Sequence, residues 1–205
     1  MLNEVVAKII IFFLPTQLGL HFWPIFSRVH GIKVDYLSPT LYFVDILLLL
    51  YLLLSFKKIL LYLKNNSKIY SLLLFFILLN TIFSISPPNT LFWWLRLVLY
   101  ALVFIALRLN QITWATVRFP LIISTTFIVA LEIYQIIYQT SLGGLFLYLG
   151  ERSFNFSTSG LARQNLFGYQ IVRPPSTFSH PNSLAGYLLI VFYLFLQKDK
   201  KTLTK

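Results

Sequence analysis

The chain has 205 residues, of which 58% are hydrophobic and only 11% charged, against roughly 25% charged in soluble domains. With a mean hydropathy of +0.76 it cannot cover its surface with polar groups in water, which excludes a soluble globular domain and predicts an integral membrane protein. The net charge of +11 does not point to nucleic acid, because the lysines lie between apolar runs and not along a basic face. The absence of cysteine excludes disulfides, thiolate metal sites and a cysteine nucleophile.

A helix crosses the bilayer core in about 20 mainly apolar residues, rising about 1.5 Å at each. That ruler predicts six spans, at roughly Val5–Trp23, Leu37–Phe56, Ile69–Ile85, Leu91–Leu107, Val117–Tyr138 and Asn182–Leu196. The first contains Pro15 and Gln17 and the last is short, so both need protein neighbours to satisfy their backbone. Glu4 precedes the first apolar run and no small-residue cleavage site follows it, so it is read as a retained span and not a signal peptide. The expected fold class is all-α, a polytopic membrane bundle of about six transmembrane helices with one long outer loop containing short helices. It divides into a five-span bundle over 1–138, an outer loop over 139–181, and a sixth span with its tail over 182–205.

Along the chain, His21 and His30 flank the outer end of the first span, and Arg28, Lys33 and Asp35 read as a solvated loop. Lys57, Lys58, Lys64 and Lys68 follow the second span. Ser86-Pro-Pro-Asn-Thr90 reads as a tight turn. Trp23, Trp93 and Trp94 lie near span ends, where aromatic rings favour the headgroup layer. Counting Lys8, Arg108, Arg118, Lys198, Lys200, Lys201 and Lys205 with those four lysines, eleven of the seventeen basic residues fall on one side of a six-span chain. Both termini are therefore expected in the cytoplasm.

Three ionisable residues fall inside spans: Asp45, Arg96 and Glu132. Each lies six to eight residues from the predicted outer end of its span, about 10 Å deep at the helical rise. Intramembrane charges face the bundle interior and pair or line a cavity. Arg96 is expected to pair with Asp45, Glu132 or both, as an ion pair welding the second, fourth and fifth spans. Glu132, Gln135 and Gln139 share one helical face, a polar stripe leading toward the outer loop and fitting a cavity that opens outward.

The loop from Gln139 to Pro181 is the only long connection, and its many apolar residues argue against disorder. Leu142–Leu149 fits a short interfacial helix. The loop ends in Arg173-Pro-Pro-Ser-Thr-Phe-Ser-His-Pro-Asn-Ser-Leu-Ala-Gly-Tyr-Leu188, where a guanidinium, an imidazole and a carboxamide crowd beside a helix start. Pro181 suits the first helical position, and helix starts present free N–H groups that bind phosphate. Arg173 offers a planar fork suited to phosphate oxygens. His180 could donate or shuttle a proton, and Asn182 could cap the helix or orient a ligand. The competing reading is that His180 and Asn182 only cap the helix and Arg173 is a solvated loop charge. No Gly-rich nucleotide loop, HExxH, GxSxG or carboxylate cluster is present, so no nucleotide or metal cofactor is expected.

Tyr148-Leu-Gly-Glu-Arg-Ser-Phe154, Thr158-Ser-Gly-Leu-Ala162 and the Arg173–Leu188 stretch resemble the bacterial O-antigen ligase and O-antigen polymerase superfamily. The shared pattern is an Arg, a Thr-Phe, then an Asn heading an apolar helix. The resemblance implies a polytopic enzyme of the bacterial inner membrane that transfers a glycan from a polyprenyl-diphosphate carrier to the hydroxyl of an acceptor lipid or glycan, without metal or nucleotide. Arg173 then matches an arginine that holds the diphosphate. His180 precedes the Asn and is not the family's catalytic His, which lies in a later outer loop. Family members have about twice as many spans and a second large outer loop carrying the base, so the chain is expected to be an amino-terminal portion, incomplete or inactive by itself. A membrane transporter and a non-catalytic scaffold are the alternatives from other classes.

Overall fold

The computed structural model describes residues 2–34 and 37–203, with side chains described as far as residue 196. Asp35 and the tail lysines Lys198, Lys200, Lys201 and Lys205 therefore lie outside the side chains described. The molecule is mostly helical and separates into two compact units, Met1–Ile11 with Gly19–Arg118, and Phe12–Leu18 with Phe119–Lys205.

Helix α1 (Leu2–Phe13) opens the chain, and Lys8 bridges Glu4 one turn away at 2.8 Å. The expected first span, Val5–Trp23, is corrected here. Its helix has 12 residues, about 18 Å at the helical rise, against the roughly 30 Å of a bilayer core. Pro15 has no N–H to give and forces the residue before it out of helical geometry, and Thr16 N–H closes a turn on Phe13 C=O at 2.9 Å.

The rest of the first unit begins with short strands. β1 (Gly19–His21) pairs antiparallel with a later strand, Thr40–Tyr42, while β2 (Arg28–Val29) and β3 (Ile32–Lys33) form a two-residue hairpin. The Thr40–Tyr42 strand, β4, leads directly into α2 (Phe43–Asn65). A side chain at Gly19 would strike the Tyr42 ring at 2.7 Å, which is why glycine stands in that register. His21 shares a hydrogen bond with Thr40 Oγ1 at 2.9 Å and stacks on Trp23.

Helix α2 starts later and ends later than the predicted span Leu37–Phe56. The strand pairing takes up the residues before Phe43, and the helix then runs through Lys57, Lys58 and Lys64. Lysine is a good helix former whose long stem keeps its charge in the polar layer, so hydropathy alone ended the span too early. α3 (Ser67–Ile82) follows after one residue, and α4 (Pro87–Leu109) begins with prolines at its first two positions. The sequence read as a tight turn at Ser86–Thr90 is thus largely the first turn of α4.

Helices α2 and α4 run parallel. Asp45 meets Arg96, and Ser55 meets Asn110, so contacts advance in the same direction on both. α3 returns antiparallel, with Trp94 Nε1–H donating to Asn80 Oδ1 at 2.9 Å and Phe76 edge-on to Trp94. Leu48, Tyr51, Ile59, Val103 and Ala106 are buried in this unit.

In the second unit, α5 (Trp114–Tyr138) carries the chain from Phe119 onward, and a 3-10 helix at Gly144–Leu149 lies where a short helix was expected. The strands β5 (Arg163–Leu166) and β6 (Tyr169–Val172) form an antiparallel hairpin that the sequence reading missed. Phe167 and Gly168 both take positive φ, 49° and 85°, as a two-residue type I′ turn requires. Helix α6 (Pro181–Leu203) starts at the proline predicted to begin it. Ile128, Phe178 and Leu184 form the core cluster, flanked by Phe127, Tyr187 and Leu188.

Among the described residues, α2, α4 and α5 are long and apolar enough to cross a membrane, while α3 and the Pro181–Leu196 part of α6 are shorter apolar helices. Leu53, Leu95, Phe104 and Phe119 are each at least 60% exposed. So much bare apolar surface suits lipid and would be a liability in water.

Candidate functional site

The polar stripe of α5 divides its labour. Gln135 is completely buried. Its Nε2 donates to Glu151 Oε1 at 2.8 Å, and its Oε1 accepts the Ser176 N–H at 2.9 Å. Gln139 ends the helix with a positive φ of 54° and accepts the Val172 N–H at 2.7 Å through Oε1. Two carboxamides one turn apart therefore seize the outer loop at two points just before and after Arg173.

Glu151 completes the clamp. It is buried, and besides Gln135 it accepts the N–H groups of Leu142 and Gly143 at 2.7 and 2.8 Å. A buried carboxylate needs such donors to offset its lost hydration. Glu151 stood inside a stretch quoted from the sequence without being recognised as a site residue. The available signal was a lone acid followed by Arg in an otherwise apolar loop.

The Pro174–Phe178 stretch is buried throughout. Ser176 adopts φ of +55° and donates from Oγ to Ile128 C=O at 3.0 Å, and Thr177 Oγ1 donates to Pro15 C=O at 2.8 Å. A non-glycine residue in the left-handed region persists only where its surroundings hold it, and here three hydrogen bonds and the Phe178 core do so. Arg173 thus projects from a fixed backbone, itself anchored by its N–H to Ala162 C=O at 2.8 Å.

Arg173, His180 and Asn182, singled out from sequence, are brought together at the start of α6. Arg173 Nη2 donates to Asn182 Oδ1 at 3.0 Å. His180 Nδ1 accepts the Asn182 N–H at 3.1 Å, and His180 C=O accepts the N–H groups of Ser183 and Leu184. The helix start expected to offer free N–H groups is therefore closed by His180, because a proline at the first position brings the preceding residue over the next three amides. Asn182 orients Arg173 and does not cap the helix. Arg173 makes no ion pair with any described residue.

The intramembrane set Asp45, Arg96 and Glu132 separates. In the first unit Arg96 Nη2 donates to Asp45 Oδ2 at 2.8 Å and to Thr40 C=O at 2.6 Å, with its guanidinium over the Tyr42 and Phe92 rings. Asp45 also accepts the Tyr42 N–H at 2.9 Å. Asp45 sits in the first turn of α2, because that helix begins at Phe43 and not at Leu37, and its bond to Arg96 puts the two at one level. Glu132, in the second unit, makes no hydrogen bond or ion pair with any described residue.

Glu132 instead lines a cavity of about 310 Å³ together with Arg173. Its walls are Ile136 of α5, Gln164, Leu166 and Ile171 of the hairpin, Pro174, and Pro181, Leu184 and Leu188 of α6. That volume lies at the lower end of the roughly 300–1,000 Å³ of small-ligand sites. His180 and Asn182 are not among the wall residues. One guanidinium and one carboxylate, neither matched by an opposite charge, thus face a common apolar-walled space. Such a space can bind an anion at one end and a hydrogen-bond donor at the other. Comparison with protein-family models, with curated proteins and with solved structures returned no match for this chain.

Proposed function

We propose that the chain is a polytopic membrane protein of the bacterial inner membrane acting in lipid-linked glycan transfer, in the manner of O-antigen ligases and polymerases. The cavity at Arg173 receives the diphosphate of a polyprenyl carrier at the outer face. α2 to α6 cross the bilayer in alternation, and the amino-terminal segment around α1 supplies the sixth apolar element. The carboxyl-terminal ends of α2, α4 and α6 face the cytoplasm, in keeping with the lysines near the ends of α2 and α3's start. The partners are the bilayer, a polyprenyl-diphosphate-linked glycan and an acceptor lipid or glycan.

The observation that carries this reading is Arg173: a half-buried residue with no acidic partner among the described residues, its guanidinium bonded to Asn182, at the wall of a cavity. An arginine kept unpaired in an apolar setting favours an anionic ligand, and its planar fork matches phosphate oxygens. Charge neutralisation there stabilises a departing diphosphate.

Binding of a polyprenyl diphosphate to the full chain in lipid nanodiscs tests the proposal. Arg173→Ala should bind at least about tenfold more weakly, a loss of about 1.4 kcal/mol, while inserting in the membrane as before. Equal binding by the variant and the parent would remove the diphosphate site.

A further inference from the structure

We propose that the β5–β6 hairpin is a lipid-docking element, which lays Leu166, Phe167 and Tyr169 into the outer leaflet beside α5 and α6. The inference rests on α5 and α6 being spans and is independent of the diphosphate reading of Arg173.

The register divides the ribbon into two unlike faces. Directly opposed residues of an antiparallel pair share a face, and successive residues alternate. Leu166 with Tyr169 and Gln164 with Ile171 therefore lie on one face, and Asn165 with Gln170 and Arg163 with Val172 on the other. Gln164, Leu166 and Ile171 wall the cavity, so the first face runs on from the cavity to the turn as Ile171, Leu166 and Tyr169. At the turn Phe167 is 93% exposed, and Tyr169 is 77% exposed. The second face is polar where it is bare, with Arg163, Asn165 and Gln170. All four residues of β5 are exposed, and a two-stranded hairpin left so open is marginally stable in water. Its apolar edge needs a cover.

The occupant follows from where the turn lies. Val172, at the base of the ribbon, is bonded to Gln139 just past the end of α5. Leu166, at the turn end, shares its cavity with Glu132, six residues inside that helix end, and with Leu188, the eighth residue of α6. The hairpin thus lies against the sides of the two helices, at bilayer level, and does not stand out into solvent. Ile133 and Ile137 of α5 and Leu189 of α6, also exposed, stand at the same levels of their helices and continue the apolar surface. Phospholipid matches this chemistry. Aromatic and aliphatic residues on one face and arginine on the other are the pattern of an element lying in the headgroup layer. Apart from buried Glu151, the charges of residues 139–181 are Arg152, Arg163 and Arg173, all of the sign that lipid phosphates attract.

The test uses the full chain in liposomes of phosphatidylcholine and phosphatidylglycerol. The chain has no cysteine, so Tyr169→Cys, Gln170→Cys and Ile123→Cys can each carry an environment-sensitive nitrobenzoxadiazole label, with acyl-chain nitroxide phospholipids as quencher. Tyr169→Cys should show blue-shifted emission and quenching comparable with that of Ile123→Cys, the reference exposed toward the middle of α5. Gln170→Cys, on the polar face, should be quenched distinctly less. Adding Phe167→Asp should bring the quenching at Tyr169→Cys down to the Gln170→Cys level. Quenching at Tyr169→Cys no greater than at Gln170→Cys overturns the docking, and so does quenching that survives Phe167→Asp. A blue shift without quenching overturns it too, because the turn would then lie against another protein chain. An unquenched Ile123→Cys overturns the span reading of α5 and the docking with it. Diphosphate binding by the parent and by Arg173→Ala is read separately, so either reading can fail alone.

Discussion

Gln135 and Glu151 join a helix to a loop through a single hydrogen bond of 2.8 Å between two buried side chains. Gln135 uses its other end for Ser176, and Glu151 uses its remaining capacity for Leu142 and Gly143. The two flanks of the outer loop, before and after the hairpin, therefore meet at one carboxamide.

Glu151→Ala should release that junction. Three donors lose their acceptor, the Gln135 side chain fully buried and the Leu142 and Gly143 N–H groups part-buried, and the expected cost is about 3 kcal/mol, in the range for removing a charged hydrogen-bond partner. Limited proteolysis should cut the loop between residues 139 and 181 faster in the variant, and thermal unfolding in detergent should shift down. Unchanged cleavage would mean that the clamp does not hold the loop.

The Asp45–Arg96 pair gives a second expectation. Arg96→Met leaves the 5%-exposed Asp45 without its cation and frees Thr40 C=O. Breaking one side of a buried pair costs about 3–5 kcal/mol, whereas replacing both partners by apolar residues is often near neutral. Arg96→Met should therefore destabilise strongly alone and much less when combined with Asp45→Leu. Melting temperatures of the two singles and the double variant in detergent check this, and additive losses would count against a coupled pair.

Parallel packing of α2 and α4, with α3 antiparallel between them in sequence, fixes sidedness. The chain contains no cysteine, so single cysteines can be introduced without further change. Ser67→Cys and Gln111→Cys should react with a membrane-impermeant thiol reagent from one side only, and Ile85→Cys from the other. For the proposed orientation, Ile85→Cys is the one labelled from outside. Labelling of all three from the same side would contradict an alternating path.

Much of this was readable from the residues, for physical reasons that can be named. Pro181 announced the start of α6 because a ring that lacks an N–H is harmless there. Arg96 announced a partner because a buried charge cannot go without one, and Asp45 supplied it. The stripe of Glu132, Gln135 and Gln139 was visible as a helical spacing, yet its division into two clamps and one free carboxylate was not. That division depends on where Ser176 and Val172 arrive through long-range packing. The β5–β6 hairpin escaped because hydropathy is blind to a polar strand such as Arg163–Leu166, although Phe167-Gly168 before Tyr169 was a usable turn signal. α1 was overextended for the opposite reason, since apolar residues continue past Pro15 while the backbone does not.

The lysines that first marked a side of the membrane also answer an electrostatic problem raised by the parallel pairing. The carboxyl-terminal end of α4 abuts the flank of α2, since Asn110 meets Ser55 ten residues before α2 ends at Asn65, and it brings there a partial negative charge of about half an elementary charge. At the carboxyl-terminal end the ammonium of Lys58, on α2, reaches Leu109 C=O at 3.4 Å and Asn110 Oδ1 at 2.8 Å on its neighbour, while Lys64 and Arg108 occupy the last turns of their own helices. Asp45 sits in the first turn of α2, against its positive end. The charges act as counterions built into the fold, and neutralising Lys58 would leave the negative end of α4 without the cation that α2 holds against it.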